Sequence, residues 1–128
     1  MKETREEKDP LTHRVIGAAM EVHREMGPGL LESVYQKCLE RELKRQQLAC
    51  QPQARLPLVY KGSILDDEFI MDVFFPGELV VELKAVEKLL PVHEAQLLTY
   101  LRLTRRKLGL LMNFNVLRLK DGLRRFVM

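Results

Sequence analysis

Apolar residues occupy every second position on either side of Pro76-Gly77 in Phe69–Ala85, FIMDVFFPGELVVELKA, a pattern that predicts two β-strands joined by a tight turn. Pro76-Gly77 suits the centre of a type II turn, because Pro fixes the first φ angle and Gly supplies the positive φ that follows. The odd-numbered positions are apolar throughout, so we expect them to form one continuous apolar face. They are Phe69, Met71, Val73, Phe75, Leu79, Val81, Leu83 and Ala85.

The opposite face of these two strands carries three charges among its apolar residues: Asp72, Glu82 and Lys84. The apolar sides coincide only if paired residues have equal parity, which a three-residue loop over 76–78 achieves. This register sets Asp72 directly opposite Glu82, where two carboxylates repel each other unless a cation lies between them. Hard oxygen ligands hold Mg²⁺ beside phosphates, and a neighbouring ammonium group can steady a phosphate or an attacking water. The pattern therefore predicts a metal-dependent phosphate site, although solvent-facing charges on an ordinary strand also fit it.

Two helices are predicted ahead of the strands. Asp9 caps the first helix, with Pro10 in its first turn, and apolar residues then recur at helical spacing. The Gly-Pro-Gly segment at 27–29 ends this helix, and a second amphipathic helix is predicted over 31–47.

Glu32 and Tyr35 lie three residues apart near the start of the second helix, so they share a face. The helix dipole alone is sufficient to explain a carboxylate in the first turn. Alternatively, Glu32 reaches the predicted metal as a further carboxylate, from a helix that packs on the sheet.

The remaining elements follow from apolar runs and turn residues. A first strand is predicted over 54–60, where Pro57 indicates an edge position or a bulge, and a second strand over 64–75. A helix over 91–105 precedes a nearly unbroken apolar run at 107–114, which is typical of a strand buried on both faces. A strand, a helix and a buried strand in this order predict a parallel crossover.

The last part of the chain contains Asp121-Gly122, a strong signal for a short turn. It predicts a terminal hairpin between strands at 116–119 and 123–127. Taken together, the elements predict an α/β (α+β) domain with a mixed sheet, flanking helices and a C-terminal hairpin.

His93, Gln96 and Tyr100 fall on one face of the helix at 91–105, because they are spaced at i, i+3 and i+7. Such a polar stripe is commonly the solvated side of a helix. The other interpretation is that the stripe lines the charged face of the sheet, with Gln96 and Tyr100 hydrogen-bonding to the site or to a phosphate.

Composition limits these interpretations. The chain has 128 residues, of which 46% are apolar and 30% charged, as expected for one folded domain. We expect a flexible segment at residues 1–10 and the domain at residues 11–128. No apolar run is long enough for a membrane helix and the N-terminus is too charged for a secretory signal, which predicts a cytoplasmic protein without a membrane partner. The net charge of +3 permits nucleic-acid binding without requiring it.

The ordered motifs resemble those of the GxxExxY family, named for the pattern that Gly29, Glu32 and Tyr35 form within GPGLLESVY. The likeness extends from about residue 11 to residue 127 and includes VELKAV, HEAQLLTYL, GLLMNFNV and LKDGLRR. That family is regarded as part of the PD-(D/E)XK nuclease-like superfamily, so the resemblance implies a restriction-endonuclease-like αβββαβ core. The periodicity described above gives the same order of elements.

The resemblance also implies roles for the charged residues. Asp72 is similar to the first metal-binding acid of the superfamily, and Glu82 with Lys84 is similar to its E-x-K pair. Glu32 resembles the helix acid that adds a further carboxylate to the metal.

Four other residues are expected to support the site or contact nucleic acid. Gln96 and Tyr100 match the Q-x3-Y helix pattern of the RecB-like branch, where these residues have that role. Tyr35 and His93 are expected to act beside them, since they share helix faces with Glu32 and Gln96.

The expected function is hydrolysis of phosphodiester bonds of DNA, or else of RNA, with Mg²⁺ or Mn²⁺ as cofactor. One alternative is a module that binds nucleic acid or a partner protein and keeps the fold without independent catalysis. Another is a structural or homodimeric protein without metal, which is disfavoured because such a protein need not keep three charges among core residues.

Overall fold

The computed structural model describes residues 9–128, which contain three α-helices and five β-strands. The helices are α1 (Pro10–Met26), α2 (Glu32–Arg45) and α3 (Pro91–Thr104). The strands are β1 (Gln51–Tyr60), β2 (Ser63–Phe75), β3 (Leu79–Lys84), β4 (Leu108–Asn113) and β5 (Leu123–Val127). A short 3₁₀ helix, Leu119–Gly122, precedes β5. None of the helices within 9–128 combines the length and the hydrophobicity that crossing a bilayer requires.

The five strands form one mixed sheet in the order β1-β2-β3-β4-β5. β3 and β4 run parallel, with α3 as the crossover, and every other neighbouring pair is antiparallel. The predicted parallel crossover and the restriction-endonuclease-like α/β fold are therefore confirmed. Phe75 pairs with Leu79, so the loop at 76–78 has the predicted length, and Gly77 has the positive φ of +81° that the turn requires.

Two hydrophobic cores cover the two faces of the sheet. α1 and α2 pack on one face, where Tyr35, Leu39 and Phe114 are fully buried. α3 packs on the other face, where Leu97 and Leu111 belong to the second core. Residues of β4 enter both cores, as predicted for a strand that is covered on both sides.

Helix α1 begins at the predicted cap. The Asp9 carboxylate accepts a hydrogen bond from the Thr12 N–H at 3.3 Å, and Pro10 occupies the first turn. Residues 9 and 10 therefore belong to the folded part, whereas the rest of the predicted flexible segment, residues 1–8, lies outside the described residues. The helix ends at Gly27, whose φ is +72°.

The predicted strand at 116–119 is wrong. Residues 115–118 form bends, and β5 pairs antiparallel with β4 instead. Asn113 Oδ1 accepts hydrogen bonds from the Val86 and Asn115 N–H groups, which turns the chain at the end of β4. Gly122 then passes so close to this turn that an added Cβ would lie 2.2 Å from Asn113 O. The terminal hairpin therefore joins β4 to β5 through a longer connection than the Asp-Gly turn predicted.

β1 and β2 form a two-stranded ribbon that extends past the other strands. β3 pairs with residues 73–75 of β2, whereas the preceding part of β2 pairs with β1 alone. We refer to residues 54–71 as the β1–β2 arm. β1 is an edge strand with a register shift between Pro57 and Val59, which confirms the predicted edge position and bulge.

Candidate active site between β2 and β3

Asp72 and Glu82 lie opposite each other where the β2–β3 ladder ends. The last ladder pair is Val73 with Val81. Beyond this pair, the Asp72 N–H donates to Glu82 Oε2 at 2.8 Å, and the Leu83 N–H donates to Asp72 Oδ2 at 2.8 Å. Each carboxylate thus replaces a backbone carbonyl as the acceptor for an N–H of the neighbouring strand. This reciprocal anchoring fixes both carboxyl groups at one place, as the predicted register required.

The apolar side chains of β2 change from one face of the sheet to the other at Asp72. Val73 and Phe75 pack under α1 and α2, but two residues of the same parity before Asp72 belong to the core under α3: Phe69 and Met71. The predicted continuous apolar face is therefore wrong for these two residues. Gln53, which faces Asp72 across the ladder, has a φ of +52°, and the β1–β2 pairing is interrupted there. The interruption lets β2 turn, so that the Asp72 carboxylate reaches the backbone of β3.

Gln36 of α2 holds the backbone of Asp72 at this interruption. Its Nε2 donates to Asp72 O at 2.8 Å and to Glu40 Oε2 at 2.7 Å, and the side chain is buried. Sequence reasoning missed Gln36, although a signal exists. Glu32, Gln36 and Glu40 follow each other at i, i+4 and i+8, so they form one polar row along the helix. A neutral amide in such a row suits burial against a strand, because it donates to a carbonyl without bringing a charge.

Lys84 lies two residues beyond Glu82 on β3, where α3 approaches it. Lys84 Nζ donates to Gln96 Oε1 at 3.3 Å. Tyr100, one turn further along α3, is buried. Burial, and then the negative charges of Glu82 and Asp72, raise the pKa of Tyr100 to about 12. The polar stripe of α3 therefore faces the acidic side chains.

Burial raises the pKa values of three carboxyl groups at this site, and the negative charge of Asp72 adds to the rise at two of them, Glu82 and Glu32. Glu82 is 3% exposed, and burial together with the charge of Asp72 raises its pKa to about 9. Burial also raises the pKa of Asp72, against the opposing effects of the Leu83 N–H and the Lys84 charge. Partial desolvation, and then the charge of Asp72, raise the pKa of Glu32, so Glu32 lies within electrostatic reach of the pair.

Tyr35 forms its contacts within the loop that joins α1 to α2. Its hydroxyl donates to Gly27 O at 2.6 Å and accepts from the Leu30 N–H at 3.1 Å. Its ring stacks on Phe114, with 4.7 Å between the ring centres. The structure therefore gives Tyr35 a role in holding this loop, and its described hydrogen bonds do not reach the acidic pair.

His93 caps the start of α3. Its Nδ1 accepts a hydrogen bond from the Leu90 N–H at 3.0 Å, a donor that the helix itself leaves without a partner. His93 thus shares a helix face with Gln96, as its spacing predicts, but its described hydrogen bond stabilises the helix end.

The remaining oxygen atoms of the acidic pair fit a small divalent cation. Asp72 Oδ2 and Glu82 Oε2 accept the backbone N–H groups, which leaves Oδ1 and Oε1 without a backbone hydrogen bond from the described residues. The two side chains also lie close enough for a hydrogen bond between them to lower the pKa of Asp72. Hard carboxylate oxygens are the ligands that Mg²⁺ and Mn²⁺ prefer, and a cation would offset the cost of burying two ionised carboxyl groups. Within 9–128, no three His, Cys, Asp or Glu side chains lie together at metal-ligand spacing. The structure therefore brings Asp72 and Glu82 together but leaves Glu32 outside the pair.

A mixed sheet with helices on both faces, and with two acids and a lysine on its central strands, defines a nuclease-like α/β domain. The sequence matches the PD-(D/E)XK nuclease superfamily over residues 9–126, and the chain belongs to that superfamily. Comparisons with curated proteins and with solved structures give no match. Membership indicates a nuclease-type function and hence a nucleic-acid substrate, and PD-(D/E)XK nucleases generally use divalent metals. The narrower GxxExxY and RecB-like assignments stay predictions.

Proposed function

We propose that the protein is a Mg²⁺- or Mn²⁺-dependent nuclease that hydrolyses phosphodiester bonds of DNA or RNA. The observation that carries this proposal is the reciprocal anchoring of Asp72 and Glu82. It holds two partly desolvated carboxyl groups together and leaves one oxygen of each without a backbone hydrogen bond from the described residues. Because the arrangement raises both pKa values, it lowers the stability of the metal-free fold, and such a conflict is typical of a functional site.

In this proposal, Asp72 and Glu82 hold the metal, and Glu32 approaches them from the start of α2. The bound metal supplies a water of lowered pKa and offsets charge on the phosphate. Lys84, which Gln96 orients through its Oε1, faces the scissile phosphate. Its ammonium group stabilises the negative charge that develops as the water oxygen bonds to phosphorus and the ester P–O bond breaks.

Tyr100 contributes a hydroxyl group that stays protonated at physiological pH, because its pKa is about 12. It serves as a hydrogen-bond donor beside the acids and not as a base. The finer sequence assignments complete the proposal: a cytoplasmic protein of the GxxExxY family, within the RecB-like branch.

Thermal unfolding with Mg²⁺, Mn²⁺ or a chelator tests metal binding. We expect either metal to raise the melting temperature by mass action, and Asp72→Ala or Glu82→Ala to remove this increase. Glu78→Ala is the matched control, because Glu78 is an exposed acid in the loop between the same two strands and should keep the metal response. A melting temperature of the unsubstituted protein that does not depend on metal would contradict the proposal.

Cleavage of labelled single- and double-stranded DNA and RNA with Mn²⁺ tests catalysis. We expect Lys84→Ala to lower the cleavage rate by about 10²-fold or more and to keep the metal-induced stabilisation. Lys37→Ala, which removes an exposed lysine of α2, should keep full activity. Binding without cleavage, with a steep dependence on salt, would instead support the non-catalytic binding module. Cleavage that survives Lys84→Ala would refute the role of Lys84.

A further inference from the structure

The tip of the β1–β2 arm exposes a cluster of apolar side chains: Val59, Tyr60, Ile64 and Leu65. Val59 and Ile64 are cross-strand partners, 52% and 75% exposed respectively. Four apolar residues close together at the end of a projecting ribbon differ from single exposed apolar residues scattered over a surface. A cluster of this kind is typical of an interaction site.

A groove lies between the arm and helix α3. It has a volume of about 310 Å³ and is lined mainly by apolar side chains, with Arg102 on its α3 side. Val59 belongs to its lining, so the tip residues that follow Val59 lie beyond the groove of their own molecule. The apolar residues of the lining include Leu56, Leu58, Phe69 and Leu103.

We propose that the arm tip is a self-association surface that enters this groove on a second copy of the chain. Ile64 and Leu65 of one copy fill the apolar groove of the other, and the reciprocal contact closes a two-fold dimer. The charges of the two surfaces match. Asp66 and Asp67 directly follow the tip and are exposed, and together they outweigh the single positive charge of Lys61, which lies over the Tyr60 ring in the tip turn. The groove, by contrast, carries Arg102. Each copy therefore supplies one acidic tip and one basic groove.

Two other kinds of contact fit the arm less well. Strand addition along β1 needs free N–H groups at the edge, and Pro52 and Pro57 have none. Insertion into nucleic acid would bring the acidic row at 66–68 next to phosphates. Within the described residues, Arg55 pairs with only one acid of this row, Glu68, at 3.0 Å. A protein partner is therefore favoured, and the matching groove on the same chain identifies it as a second copy.

Sedimentation equilibrium of the full chain tests the surface. We expect the unsubstituted protein to form a dimer, and Ile64→Ser to weaken dimerisation by about tenfold or more. Ile64 is exposed, so the variant should fold, and its melting temperature should be unchanged at concentrations where both proteins are monomeric. Leu117→Ser is the matched control, because Leu117 is an exposed apolar residue in the β4–β5 connection and its loss should leave the dimer intact. A protein that stays monomeric at every concentration measured overturns the proposal.

Charge reversal distinguishes the reciprocal arrangement from any other dimer. The tip variant Asp66→Arg/Asp67→Arg and the groove variant Arg102→Asp should each lose self-association, because like charges meet in their own dimers. Mixed together, the two variants should form a heterodimer, because both contacts again join opposite charges. Failure of the mixture to dimerise overturns the proposal. So does an Ile64→Ser variant that loses affinity for nucleic acid while its mass in solution is unchanged.

Discussion

Two polar sites are buried against the sheet of this protein, and they differ in how their hydrogen bonds and charges are balanced. The Tyr35 hydroxyl both donates and accepts, to Gly27 O and from the Leu30 N–H, and carries no charge. Asp72 and Glu82 also accept backbone N–H groups, but both are acids, and ionising both places two negative charges at one desolvated place. The first site stabilises the fold, whereas the second lowers the stability of the metal-free protein. A buried polar group with satisfied hydrogen bonds therefore indicates structure, and buried like charges indicate a ligand.

Gly122→Ala should have the largest effect on stability, because it disturbs the turn at Asn113, another uncharged site whose polar groups are hydrogen-bonded. The Asn113 amide is hydrogen-bonded to Val86 and Asn115, and the added Cβ would lie 2.2 Å from the Asn113 backbone oxygen. We expect the free energy of unfolding, measured with urea, to fall by about 3 kcal/mol. Gly17→Ala is the control: it lies in α1 with no heavy atom within 4 Å of the added Cβ, and it should stabilise slightly. Equal effects of the two substitutions would show that the turn tolerates a side chain.

Glu82→Gln should have the opposite effect on the free energy of unfolding, because it should stabilise the metal-free protein. The pKa of Glu82 is about 9 in the fold, against about 4.3 in an unfolded chain. Between these values the folded protein binds more protons than the unfolded chain, so its stability falls as the pH rises. Gln carries no charge and keeps an acceptor for the Asp72 N–H. In a chelator at about pH 8, we expect the variant to melt about 5 °C above the unsubstituted protein.

This difference should shrink toward acidic pH, where Glu82 is protonated in both states of the unsubstituted protein. Saturating Mg²⁺ should reverse the order, because the metal stabilises only the protein with both acids. A Glu82→Gln variant that melts below the unsubstituted protein in chelator at alkaline pH would show that the Glu82 carboxylate stabilises the metal-free fold, contrary to the prediction.

Tyr35→Phe should destabilise moderately. The ring still stacks on Phe114, but Gly27 O and the Leu30 N–H lose their partner, which should cost about 1–2 kcal/mol in the free energy of unfolding. Because these contacts belong to the loop, the metal-induced increase in melting temperature should be unchanged. Loss of that increase in Tyr35→Phe would assign Tyr35 to the metal site after all.

His93→Ala should lower the free energy of unfolding only slightly, by about 0.5–1 kcal/mol, since it removes the acceptor for one helix-end N–H.

Gln96→Ala, on the same face of α3, should leave stability unchanged and lower the cleavage rate, because Gln96 is exposed and positions Lys84. Paired melting and cleavage measurements check both variants. A rate loss in His93→Ala as large as that in Gln96→Ala would place His93 in the active site.

The sequence was sufficient to predict the register that brings Asp72 and Glu82 together. The turn residues at 76–78 determine that the loop contains three residues. A three-residue loop pairs odd-numbered residues of β2 with odd-numbered residues of β3, and this register determines which side chains lie opposite each other. The crossover was also predictable, because an apolar run as continuous as that of β4 has to be covered on both faces.

The features that the sequence did not predict depend on contacts between distant parts of the chain. The change of face at Asp72 depends on the backbone angle of Gln53 and on the hydrogen bond from Gln36. Neither can be inferred from the alternation of apolar and polar residues along the strand. The wrong strand at 116–119 has the same origin. The Asn113 amide and the close approach of Gly122 determine that connection, whereas the local sequence favoured a tight turn.

The reciprocal anchoring of the two acids has a consequence for how this site can be observed. The amide protons of Asp72 and Leu83 point at carboxylates and not at carbonyl groups, so their NMR chemical shifts respond directly to any change of charge on those side chains. Two backbone resonances, on two different strands, therefore report occupancy from inside the protein without a label or a substrate. A ligand that enters between the acids should move both resonances together, while one that binds elsewhere leaves them in place.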